Sequence, residues 1–148
     1  MGNTTTKISA KEVREALLGG HYAILSAYQD AYSPKQNAER TQFLVDALRE
    51  ALYECTVGET INEDGVEECV FILGIPQKEL LAFTSIVDQD TVIHNGTVLN
   101  PSKGWRITGG VPHIYNTPAE VPAGKTYKEV CGVLFTLDFL IKSVDRGQ

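Results

Sequence analysis

Apolar positions along the chain change their period several times, and each change marks an element. From Ala10 to Leu18 the pattern is helical. Ser9 and Glu12 stand in the capping-box relation at its start, and Gly19-Gly20 close it. The stretch His21 to Ala27 then reads as a strand covered on both faces: Tyr22, Ile24 and Ser26 point one way, Ala23, Leu25 and Ala27 the other. Ser33, Pro34 and Gln36 open a second helix, with Phe43, Leu44, Ala47, Leu48 and Ala51 as its apolar stripe, which predicts a helix over Pro34 to Leu52. Tyr53 to Glu59 and Val66 to Leu73 read as strands around a turn at Asn62-Glu63-Asp64-Gly65. The run Val70-Phe71-Ile72-Leu73 suits a central strand. Pro76 opens a third helix carried by Leu80, Phe83 and Val87. Thr91 to His94 and Thr97 to Leu99 flank an Asn95-Gly96 hairpin turn, and Val130 to Leu137 reads as a last strand.

After the first helix the order is strand, helix, strand, strand, helix, strand. That order predicts an α+β, ferredoxin-like (split βαβ) antiparallel sheet with helices on one face and extra strands toward the C-terminus. Pro101 to Lys128 is punctuated by Gly and Pro and reads as a long loop, with a short strand at Trp105 to Thr108, serving as an interface or lid segment. A chain of 148 residues fits one domain, 1–148, with 1–20 as an N-terminal helical extension.

Composition narrows the function classes. A net charge of -6 argues against a nucleic-acid binder, which needs clustered Lys and Arg. The three cysteines, Cys55, Cys69 and Cys131, have neither disulfide nor zinc spacing and read as reduced, mostly buried thiols. His21, His94 and His113 are scattered, so no metal site is expected. No apolar run has signal-peptide or membrane-spanning form, and the expected location is the cytoplasm.

No phosphate-binding, dinucleotide or nucleophile-elbow motif is present. Two places carry candidate chemistry. Ser26-Ala27-Tyr28 ends the first strand, a common position for binding groups, although a small and an aromatic residue there also suit packing. Glu67-Glu68 precedes the apolar run of the central strand. Successive strand residues face opposite sides, so one carboxylate of the pair should point inward and need a cation, either a Lys or Arg or a cationic ligand.

The segments Tyr22 to Tyr28, Ala38-Glu39-Arg40 to Leu48-Arg49 and Val66-Glu67-Glu68-Cys69 resemble, in this order, the bacteriophage S-adenosylmethionine lyases. Gln89-Asp90-Thr91-Val92, Glu120 to Gly124 and Phe135-Thr136-Leu137-Asp138 continue the likeness. That family, long called S-adenosylmethionine hydrolases, acts against restriction. The resemblance implies a PII-like sheet, a homotrimer with sites between subunits, and no cofactor or metal. It also implies cleavage of S-adenosylmethionine to 5'-methylthioadenosine and homoserine lactone. It makes Glu68 the catalytic residue, with Ser26, Ala27, Tyr28 and Glu67 around the substrate. Val57 departs from the family, which carries an aromatic residue on that strand; Tyr53 is its aromatic neighbour.

Such a reaction needs no triad. The substrate carboxylate attacks its own γ-carbon and expels the neutral thioether, so the enzyme has chiefly to hold attack geometry. Two rivals stand beside the lyase. One is a non-enzymatic PII-like small-molecule-binding protein. The other is an acidic inhibitor of a host protein, such as a restriction enzyme or S-adenosylmethionine synthase.

Overall fold

The computed structural model describes residues 8–139 and 144–145. Its helices are α1 (Ala10–Gly19), α2 (Pro34–Glu50) and α3 (Gln77–Ile86). Its strands begin with β1 (Tyr22–Leu25), β2 (Glu54–Asn62), β3 (Gly65–Leu73), β4 (Val92–His94) and β5 (Thr97–Asn100). They continue with β6 (Trp105–Ile107), β7 (Gly110–Tyr115), β8 (Tyr127–Val130), β9 (Val133–Phe139) and β10 (Val144–Asp145). Both reciprocal bonds of the capping box form at Ser9/Glu12 and at Ser33/Gln36. Gly20, at φ 71°, closes α1 in the left-handed conformation that a residue lacking Cβ adopts freely.

All described strands join one sheet in the order β10-β6-β5-β4-β1-β3-β2-β8-β9-β7. Every pairing in it is antiparallel. β6 and β7 lie toward opposite ends of this order, yet only Thr108 and Gly109 separate them in the chain. So short a link spans no more than about 11 Å from Ile107 to Gly110. The two ends of the sheet must therefore meet, and the sheet curls into a nearly closed barrel. A backbone bond marks the meeting point: Gly110 N–H donates to the Gly96 carbonyl at 2.9 Å.

This architecture corrects the expected ferredoxin-like (split βαβ, PII-like) sheet with helices on one face. β6 matches the short strand read at Trp105 to Thr108, while the rest of the stretch read as a loop supplies β7 and the start of β8, which turn a small sheet into a long, curling one. Pro112 hid β7 from the hydrophobic pattern. It is tolerated because β7 is the last strand of the sheet order, where a missing N–H breaks no second ladder. The strand expected over Val130 to Leu137 is also divided. Cys131-Gly132, with φ of 50° and 80°, forms the tight turn between β8 and β9, just as Asn95-Gly96 (50° and 83°) does between β4 and β5. Cys131 is consequently exposed, while Cys55 and Cys69 are buried.

The helices cover opposite faces. α2 and α3 pack Leu44, Leu48 and Leu80 on Ala23, Leu25, Val70 and Ile72. α1 packs Val13 and Leu17 on the other face, with Ile24, Phe71, Val130 and Phe135. Cover on both sides is why all four residues of β1 are buried. Each fully buried Leu or Phe contributes about 1.5–3 kcal/mol. The buried stripe of α2 is Asn37, Thr41, Leu44, Val45 and Leu48, which shares only Leu44 and Leu48 with the one anticipated. Phe43 lies off it and is 59% exposed. Among the described residues no helix is long and apolar enough to cross a membrane.

Candidate functional site

Ser26, Ala27 and Tyr28 follow β1 directly, at the level where β3 carries its acid pair. The Ser26 hydroxyl donates to the Glu68 carbonyl at 3.2 Å and accepts from the Tyr28 N–H at 3.1 Å. The rest of the segment is clamped by side chains from distant elements. Arg40 Nε donates to the Ala27 carbonyl at 2.8 Å, and its Nη2 donates to the Val87 carbonyl at 2.6 Å. Gln89 Nε2 donates to the Tyr28 carbonyl at 2.6 Å. Buried Asn37 accepts from the Gln29 N–H at 2.9 Å and returns a bond to the Gln29 carbonyl at 3.1 Å. Irregular backbone is thereby satisfied without a ladder. Ala27 itself is a core residue, fully buried against the α2 and α3 side.

The two glutamates part company. Thr60 stands opposite Glu67 on β3 and opposite Lys128 on β8, so these three form one cross-strand row. That row shares the face of Cys69 and Phe71, toward α1. Lys128 Nζ donates to Thr60 Oγ1 at 2.7 Å. Burial pushes the Lys128 ammonium below its ordinary pKa, while Cys69 and Glu67 pull it back up. Glu67 and Glu68 are both half-buried, and Glu67 shares its row with Lys128, whose ammonium bonds the Thr60 that stands between them. Lys128 sits in the segment read as a loop, and its pairing with Thr60 spans 68 positions.

Glu68 faces the other way, on the side of Val70 and Ile72. Glu59 stands directly opposite it, and Glu129 stands opposite Glu59. Among the described residues none of these three carboxylates has a hydrogen bond or ion pair. Like charges in cross-strand positions repel, so this row costs stability unless a cation approaches it. Glu59 and Glu129 were invisible to sequence reasoning because only the register brings them beside Glu68.

Other expected participants lie apart. Val57 is exposed on the second strand, and the Tyr53 hydroxyl donates to Glu79. His94 contacts the Ile75 carbonyl at 3.0 Å, and His113 packs on Tyr115 with ring centres 4.5 Å apart. Among the described residues no cluster of three His, Cys, Asp or Glu could hold a metal ion. No protein-family model matches this sequence, and no curated protein matches it at a significant level.

Proposed function

We propose that this chain is an S-adenosylmethionine lyase that releases 5'-methylthioadenosine and homoserine lactone without a cofactor. The observation that carries the reading is the bond from Ser26 to the Glu68 backbone. With the Gln89–Tyr28 bond and the Arg40–Ala27 bond, it gathers at one place four segments that carry the sequence resemblance. The substrate is also cationic at the right end, since its sulfonium and ammonium outweigh one carboxylate. The unpaired row Glu68, Glu59 and Glu129 suits such a charge.

In this reading Glu68 holds the substrate ammonium and Ser26 to Tyr28 shape the wall that bends the methionine chain. Bending brings the substrate carboxylate behind its own γ-carbon. A C–O bond then forms as the C–S bond breaks, and the electron pair leaves with sulfur. Both charges vanish together, so a poorly hydrated carboxylate reacts faster; orientation itself can supply up to about 7–11 kcal/mol. Glu67, on the opposite face in one row with Thr60 and Lys128, is the second choice for the role given to Glu68. A homotrimer with sites between subunits, an anti-restriction role in a phage-infected host cytoplasm, and capture of host S-adenosylmethionine synthase complete the proposal.

The test is to incubate purified protein with S-adenosylmethionine and follow 5'-methylthioadenosine by chromatography. Product well above the spontaneous rate is expected. Glu68→Gln, which removes one charged contact, should lower the rate by about tenfold to a hundredfold. Wild-type protein giving no excess product would sink the proposal. Light scattering should report three subunits per particle.

A further inference from the structure

On α2, Gln36, Glu39, Arg40 and Phe43 recur at helical spacing and form a flank separate from the buried stripe. This flank faces the end of α3 across a groove of about 390 Å³, with Tyr32 and Ile86 as its other walls. That volume lies in the range of small-molecule sites. Three of the large apolar side chains left in water meet here: Tyr32 is 43% exposed, Phe43 59% and Ile86 56%. Such a concentration is informative where single exposed apolar residues are not. The floor is rigid. Arg40 is held by the Ala27 and Val87 carbonyls and lies 4.8 Å from the centre of the Tyr32 ring. Its guanidinium has further N–H groups with no partner among the described residues.

We infer that this groove is a binding site for an adenine nucleoside. Two aromatic rings and an isoleucine offer flat apolar contact to a flat ligand. Glu39 is an acceptor only and calls for a ligand amine, while the spare N–H groups of Arg40 call for a ring nitrogen. Adenine presents an exocyclic amine next to ring nitrogens; hypoxanthine puts an acceptor where that amine stands. An alkyl chain would leave both polar groups without partners. Arg40 also links the groove to the Ser26–Tyr28 segment through the Ala27 carbonyl. The natural ligand, the adenosyl end of the substrate, rests on the lyase reading; the binding test does not.

The experiment is calorimetric titration of the full chain with 5'-methylthioadenosine, adenosine and inosine. The wild type binds the first two and discriminates against inosine. Phe43→Ala, at an exposed position that leaves the fold intact by circular dichroism, weakens binding by about tenfold or more, as loss of base stacking does elsewhere. Glu39→Gln brings inosine level with adenosine. No binding of 5'-methylthioadenosine at millimolar concentration, equal affinity in Phe43→Ala, or unchanged discrimination in Glu39→Gln overturns the assignment. Binding sensitive to Phe43 without turnover would retain this site and sink the lyase. Turnover with a KM indifferent to Phe43→Ala would do the reverse.

Discussion

Tyr22 shows how one atom can work against a well-packed residue. Its ring stacks on Phe71 with centres 5.8 Å apart, yet its hydroxyl is buried with no partner among the described residues. Burial pushes the phenol from 10.0 up to about 12. The folded state thus keeps a proton that the unfolded chain loses above pH 10. Stability from this group is complete below pH 10 and declines between pH 10 and 12, by about 2–3 kcal/mol in all. Tyr22→Phe should raise stability by about 1–2 kcal/mol at pH 7, because the orphan hydroxyl goes and the ring stays. It should also flatten the alkaline decline; denaturant midpoints at pH 7 and 11 check both. Lys128 has the opposite sign. Its pKa is lowered by burial, so the unfolded chain binds more protons and stability rises with pH up to about 10.5. Lys128→Met should abolish that rise in the same titration.

At the scale of elements, two seams decide whether the chain curls. Gly58 of β2 lies against β8 so closely that an added Cβ would sit 2.7 Å from Val130 Cγ2 and 2.8 Å from the Glu129 carbonyl oxygen. Gly58→Ala should cost about 1–3 kcal/mol in chemical denaturation, because backbone cannot yield as a side-chain tip can. The helices and the first strands were legible in the sequence because their signals are local: caps at Ser9 and Ser33, unbroken apolar residues in β1 and β3. β7 and the break between β8 and β9 were not. Pro112 breaks the pattern of β7, and Cys131-Gly132 turns the chain with a residue type that seldom marks a hairpin. The candidate site divides the same way. Ser26 and Glu68 could be named from their positions along the chain. Lys128, Glu59 and Glu129 become neighbours of the acid pair only through the register of strands that the pattern concealed.

The whole molecule depends on bringing the two ends of the sheet together, and Gly96 stands where they meet. Its φ is +83° and an added Cβ would lie 2.7 Å from the Gly110 carbonyl oxygen. Gly96→Ala should therefore open the contact; the Gly110 amide, bonded to Gly96 in the wild type, should then exchange with solvent much faster. Closure also keeps the two sides of the sheet chemically distinct, with Glu67, Thr60 and Lys128 in one row on the face toward α1 and Glu68, Glu59 and Glu129 in a row on the other. On that second side the proposed reaction needs only to fold its substrate. The most direct test is to run the reaction in heavy-oxygen water and locate the label in the homoserine fragment by mass spectrometry. Attack by the substrate's own carboxylate, followed by opening of the lactone at its acyl carbon, places heavy oxygen in the carboxyl group and leaves the γ-hydroxyl unlabelled, alongside an equal amount of 5'-methylthioadenosine. Label in the γ-hydroxyl, or no thioether nucleoside at all, would contradict it.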